Sequence, residues 1–444
     1  MAEPTLENLP TELKILILFR VPDHDTLKSL VLASPKYHHA YLAVRQELLE
    51  YLVHQQYSGF LDLAEALTVV RSQGLYFSSY KESAISLLDC WRRRNETHSL
   101  GQALRKPDGL EEVIKLLHFH KLLSFFLEDY SINAPRPPWI QLAQWKNEYL
   151  PLGFSPLETR RFLRALCRFQ LLHNIFGDQI ECEHDYDEIP NCDKHPDCDK
   201  HGVRPIWQLG EFNGRRGPSR MNNTWLCGLE AYRLFYGIMP PWEYEEMGCV
   251  FGYLVSKIKP ISKEIADDLR QLIKNTPCEF FCDIIPREQR PPVCEIEIES
   301  DLDHFNKHFK GLAGLGPEFL YRVLHMDRLS RRNTVCNNTR GFWPGPFIGL
   351  QMGLSWDKRF PFIDPMDRLE FSQNFEQFWS ALSPLEQPSV GWKKAWLVPH
   401  NEGDSFEDSL NYNRAHEKDW EWCYALWDER RLQEWRAPLL EDGV

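Results

Sequence analysis

Between Asp178 and Asp199 the chain carries nine carboxylates against a single lysine. Set among them and just beyond are Cys182, His184, Cys192, His195, Cys198 and His201. Thiolate and imidazole are the ligands of tetrahedral zinc sites. The run Cys192-x2-His195-x2-Cys198-x2-His201 supplies four such groups within ten residues. A zinc finger spaces its two ligand pairs by roughly twelve residues or more. Four ligands this close demand a tight turn, and a pair from the run combined with Cys182 and His184 is the easier geometry. The simpler reading is an acidic loop that happens to contain Cys and His, and no metal or other cofactor is expected.

Other reactive residue types admit equally plain readings. Arg92, Arg93 and Arg94 could hold an anion, but they fall where a helix should end, and cations suit that negative pole. Gly214-Arg215-Arg216-Gly217-Pro218-Ser219-Arg220 could meet a phosphorylated partner, or simply balance the acidic run before it. Cys278 and Cys282 flank Phe280 and Phe281, a pattern of buried thiols. Glu243, Glu245 and Glu246 crowd a helix start, where the dipole favours them without acid–base chemistry. Fifteen tryptophans are present, seven of them from Trp379 onward. They are either core or an aromatic recognition face, and the exposure of Trp392, Trp396, Trp420 and Trp422 discriminates. The sequence holds no G-x-S-x-G, P-loop, H-E-x-x-H or kinase set. A non-catalytic protein is expected.

The elements that position these residues are helical. Apolar residues make up 43% of the 444 and charged residues 26%, an ordinary globular balance. The 30 prolines predict many short, Pro-terminated elements. A net charge of −13 opposes a nucleic-acid partner. No apolar run reaches the ~20 residues of a membrane span, and MAEPTLENLP lacks the features of a signal peptide. A soluble chain of the cytoplasm or nucleus is expected, with its 12 cysteines reduced.

Three helices are legible in the first fifty residues. The first carries Leu13, Leu16 and Ile17 and ends near Val21-Pro22. Pro10 suits its first turn. The second follows Asp23 or Asp25 as cap and presents Leu27, Leu30 and Val31. Ser34-Pro35 opens the third, with Tyr37, Tyr41, Val44, Leu48 and Leu52 in register. So small a core leaves apolar surface over, to be covered by the rest of the chain or by another protein.

Leu9-Pro10-x-Glu12-Leu13, then Ile17-Leu18, Val21-Pro22, Leu27, Leu30 and Ser34, resembles an F-box. Pro240-Pro241-Trp242-Glu243 with Glu246-Met247-Gly248-Cys249, and Trp427-Asp428-Glu429-Arg430-Arg431-Leu432, resemble segments of fungal F-box-containing proteins. The resemblance implies a three-helix module at 1–50 that binds the Skp adaptor. The adaptor would tether the chain to a cullin scaffold in an SCF ubiquitin ligase, with the remainder recruiting a protein target for degradation. The adaptor-contact candidates are Leu9, Pro10, Leu13, Ile17, Leu18, Val21, Pro22, Leu27, Leu30 and Val31. The alternative is a structural or regulatory protein whose F-box-like helices pack on its own helical domain.

Residues 51–444 read as one irregular helical domain, without leucine-rich or WD repeats. Loop interruptions are expected at 178–224 and 286–317. Helices are predicted from Leu61, Lys81 and Leu110, and the last should stop before Ala134-Pro135. Ser155-Pro156-Leu157-Glu158 is a capping box that opens a buried helix to Gly177. Further helices are expected over 224–239, from Pro241 to a halt at Pro260, from a cap at Ser262, and over about 417–435. Residues 293–298 alternate as a strand does. The overall expectation is a mainly α protein.

Overall fold

The computed structural model describes residues 6–77, 79–94, 104–176, 234–235, 239–275, 312–338, 380, 382–397 and 420–438. Among the described residues every regular element is helical. The six Cys and His zinc candidates, the basic loop 214–220, Cys278, Cys282 and the expected strand 293–298 all lie outside them.

A 3-10 turn at Leu6–Asn8 leads into α1 (Thr11–Leu18), α2 (His24–Ala33) and α3 (Pro35–Tyr57). Pro10 sits at the N-cap of α1, one position earlier than its expected place in the first turn. Asp23 caps α2, its carboxylate accepting from the Thr26 backbone N–H at 2.8 Å. Ser34 ends α2 in an extended conformation, and Pro35 takes the first position of α3. Both α1 and α2 pack on α3. That helix bends at Val44, which leaves helical geometry (φ −129°, ψ 18°). It then continues to Tyr57 and packs on α6, so the expected boundary at residue 50 falls inside a helix.

The larger part begins with α4 (Leu63–Ser72), α5 (Lys81–Arg92) and α6 (Leu110–Asn133). Ala134-Pro135 ends α6, as expected. The Ser155–Glu158 capping box forms: Glu158 N–H donates to Ser155 Oγ at 3.1 Å, and Ser155 N–H donates to Glu158 Oε2 at 3.0 Å. It opens α7 (Pro156–Phe176), which is buried on every side over most of its length. An amphipathic helix exposes one face, whereas a helix covered all round is central. Around α7 pack α4, α6, α8 (Pro241–Asn275) and α9 (Gly316–His325). The remaining pieces are a helical turn at Leu142–Gln144 that continues as a π-helical turn at Trp145–Tyr149, α10 (Arg328–Asn338), α11 (Val390–Leu397), a 3-10 turn at Tyr424–Leu426 and α12 (Glu429–Glu434).

Three expectations are corrected. Pro260 does not halt a helix, because α8 runs through it to Asn275. Proline in a helix interior costs about 3 kcal/mol. Leu254 and Ile258 before it, and Ile261 and Ile265 after it, are all buried in the same core, which offsets that cost. Ser262 consequently caps nothing, and its buried hydroxyl has no hydrogen-bond partner among the described residues. The single helix expected near 417–435 is broken. Cys423 adopts the left-handed conformation (φ 60°), and Asp428 is extended before α12. The stretch expected as loop at 286–317 ends in helix, since Leu312–Gly314 are helical and α9 opens at Gly316.

Candidate functional site

The N-terminal helices expose far more apolar surface than their length warrants. Among the described residues eleven large apolar side chains are exposed, and six of them lie within the first 51 positions: Leu6, Leu13, Leu16, Leu32, Leu42 and Tyr51. The cause is visible in α1, TELKILIL, which is apolar around nearly its whole circumference. A helix of that kind is ordinarily buried on all sides. Here only one side is covered, by α3, and it seats Leu18 and the stem of Lys14. A lysine tolerates such a place because its methylenes pack while the ammonium reaches water. The opposite side shows Leu13, 45% exposed, and Leu16, 61% exposed.

The ten adaptor-contact candidates fall into three groups. Pro10, Leu13 and Pro22 are exposed; Leu9, Ile17 and Leu30 are half-buried. Leu18, Val21, Leu27 and Val31 are buried, at 1%, 8%, 3% and 8% exposure. Those four hold the three helices together and offer nothing to a partner in this conformation. Leu16 and Leu32 were not among the candidates, yet they are more exposed than Leu13. The helical spacing of Leu13 and Leu16 was the signal that could have found Leu16.

The module is fastened to the larger part by α3 and α2. Tyr57 Oη donates to the Leu116 carbonyl at 2.9 Å. Lys121 of α6 pairs with Asp25 of α2 at 2.7 Å, and the His24 and His118 rings lie edge to face at 6.1 Å.

The second concentration of chemistry is buried. Glu65 of α4 accepts from Arg168 Nη2 at 2.9 Å and from the Trp91 indole at 2.9 Å. Arg168 also bridges to Glu243. Arg164 meets Glu243 at 3.0 Å and grips Glu246 through both Nε and Nη2. Burial alone would raise the Glu65 carboxyl, but Arg168 and Arg94 beside it hold it down to about 2. Glu243 is likewise lowered by Arg168 and Arg164 against the pull of burial. Carboxylates this acidic make poor general bases near neutrality. Burial, with Glu65 nearby, raises the neighbouring Cys167 thiol well above its ordinary value, so it is a poor nucleophile. The third carboxylate of the α8 cluster, Glu245, accepts from the Trp420 indole and from Tyr424 Oη at 2.9 Å. Glu243, Glu245 and Glu246 therefore sit in the core with partners from α7 and the C-terminal segment, where the sequence suggested only a helix start favoured by its dipole.

The tryptophans follow the same pattern. Trp392, Trp420 and Trp422 are 0%, 3% and 4% exposed, so they form core and no recognition face; the Trp396 side chain lies outside the described set. Among the described residues no group of three or more His, Cys, Asp or Glu could hold a metal ion, and no helix is long and apolar enough to cross a membrane. Against known proteins, the chain matches no family model, no curated protein and no solved structure.

Proposed function

We propose that this chain is a substrate-receptor subunit of an SCF-type cullin ubiquitin ligase. In this reading the N-terminal helices bind the Skp adaptor, which links the chain to the cullin scaffold. The helical domain recruits a protein target and performs no bond chemistry itself. The work would take place in the cytoplasm or the nucleus. One observation carries the reading: five of the eight residues of α1 are apolar, and two of them, Leu13 and Leu16, are exposed. A helix of this kind is completed by a groove on another protein. The F-box-like spacing of Leu9, Pro10 and Leu13 leads into that helix, and Pro10 and Leu13 are exposed. The engaged carboxylates and raised thiol of the core support a non-catalytic role.

The test is co-purification of full-length protein with recombinant Skp adaptor, comparing wild type with Leu13→Asp/Leu16→Asp. Both side chains are exposed, so the double variant should keep its circular dichroism spectrum and lose the adaptor. Leu27→Asp would be uninformative, because Leu27 is internal to the module. Failure of the wild-type chain to bind would favour the second reading, in which the module is a docked element of the fold. The Tyr57–Leu116 hydrogen bond and the Asp25–Lys121 pair are the observations on its side.

A further inference from the structure

We propose that the seam where α2 meets α6 is a proton-operated contact: the facing imidazoles of His24 and His118 hold α2 against α6 while neutral and loosen it once both are charged. The inference concerns the joint between the N-terminal module and the larger part, and it stands whether or not the adaptor reading holds. The module's main attachment is α3, which packs on α6 and bonds to it through Tyr57. By contrast, α2 reaches α6 through side chains. The His24 and His118 rings meet edge to face at 6.1 Å, and Asp25 pairs with Lys121 at 2.7 Å. An edge-to-face contact suits two neutral rings. It turns into repulsion when both rings carry a proton.

The surroundings are set against charge on these rings. His24 is the first residue of α2, at the positive pole of the helix, where a cation is unfavourable. Lys28 lies one turn on along α2, and Lys121 faces His24 from α6. His118 has Lys115 and Lys121 three positions to either side, a spacing that makes neighbours on a helix surface. Lys115 pairs with Glu111 at 2.7 Å. From α9, Tyr321 lies near Lys121, and His325 packs on Phe125 one turn further along α6. Two carboxylates act in the other direction, and both are engaged. Asp23 caps α2, accepting from the Thr26 N–H and hydroxyl at 2.8 Å. Asp25 stands 3.9 Å from His24 and is held by Lys121. Burial, then His118, keep the His24 pKa below its ordinary value, with Asp25 pulling the other way. The Lys121 ammonium lowers the Asp25 pKa, so that pair stays ionised at pH 5 and the histidines are what titrate. Exposed ion pairs add little, so Asp25–Lys121 does not hold the seam against two new charges.

The experiment is hydrogen–deuterium exchange of the full-length chain at about pH 7.5 and about pH 5, with labelling times scaled for the intrinsic rate at each pH. Two unit charges about 6 Å apart in water shift an equilibrium by about threefold. Backbone protection over α2 should therefore fall by about threefold in the wild type at the lower pH. The end of α3 that packs on α6, residues 48–57, should keep its protection. His24→Gln and His118→Gln should match the wild type at the higher pH and show no such fall. His118 is exposed and His24 half-buried, so both variants should fold, which circular dichroism checks. Equal protection of α2 at both pH values in the wild type would overturn the proposal. So would an undiminished fall in either variant, or an equal fall over 48–57, which would mean that the core loosens as a whole.

Discussion

Glu65, buried in the core, meets Arg168, Arg94 and the Trp91 indole. Desolvating two charges roughly cancels their attraction, so such a pair adds little net stability, yet removing one partner costs about 3–5 kcal/mol. The contacts tie α4 to α7 through Arg168 and to α5 through Trp91. His173 of α7 is a buried group with a different consequence. Burial lowers it to about 4, against the hydrogen bond at 3.2 Å from its Nδ1–H to the Gly314 carbonyl. In the unfolded chain it takes up a proton near its ordinary value of 6.5. Between those two values the unfolded state binds the extra proton, so stability falls as pH falls from 6.5 towards 4. The loss should reach about 3 kcal/mol. Urea unfolding across that range measures it, and His173→Gln should flatten the slope. Glu65 adds a second decline lower down, between its ordinary value of 4.5 and its native value of about 2. Its stabilisation is complete above 4.5 and lost as pH falls through about 2.

At the scale of the element, α8 shows how contacts overrule local preference. It contains Pro260 as well as Gly248 and Gly252, all unfavourable in a helix interior. Gly248 is needed because a Cβ there would overlap the ring of Trp420. Gly252 lies against the Trp420 backbone, where a Cβ would stand 3.0 Å from its carbonyl oxygen. These two glycines make the slot into which the C-terminal segment fits. Alanine at position 248 would improve helix propensity by about 1 kcal/mol on its own. Gly248→Ala should nonetheless destabilise the protein by about 1–3 kcal/mol, because an indole in a close-packed core has little room to retreat. Denaturant midpoints settle the sign, and a stabilised variant would mean that Trp420 is loosely seated.

For the whole molecule, two kinds of aromatic and apolar surface coexist. The C-terminal segment closes the core: Trp427 stacks near Tyr130 and Phe154, meets Trp435 edge to face at 5.0 Å and lies under Arg431. Arg431 in turn pairs with Glu158 of the α7 capping box at 2.6 Å. The α1 face, by contrast, is outside that network. Trp427→Ala should therefore cost about 3–5 kcal/mol. Leu13→Asp/Leu16→Asp should change the unfolding free energy by less than about 0.5 kcal/mol, as surface substitutions do. Comparable losses from the two would show that α1 is a working part of the core and would count against the adaptor reading.

The helices bounded by their own chemistry were legible from the sequence: Asp23 before α2, Ser34-Pro35 before α3, the Ser155–Glu158 box before α7, Ala134-Pro135 after α6. Each signal acts through hydrogen bonds or sterics within a turn or two, so a short window contains it. The all-helical character follows from the same local terms. The sequence also displayed an excess of apolar groups on α1, though only packing on α3 decided that Leu13 and Leu16 face outward while Leu18 and Val21 face in. The buried ion network could not be read in advance. Arg164 and Glu246 are 82 positions apart, and Arg168 and Glu243 are 75 apart. Taken singly, each looks like a solvated charge on a helix. The passage of α8 through Pro260 and the burial of the C-terminal tryptophans have the same origin. Local preferences are worth about 1–3 kcal/mol per residue, and dense long-range packing summed over many side chains outweighs them.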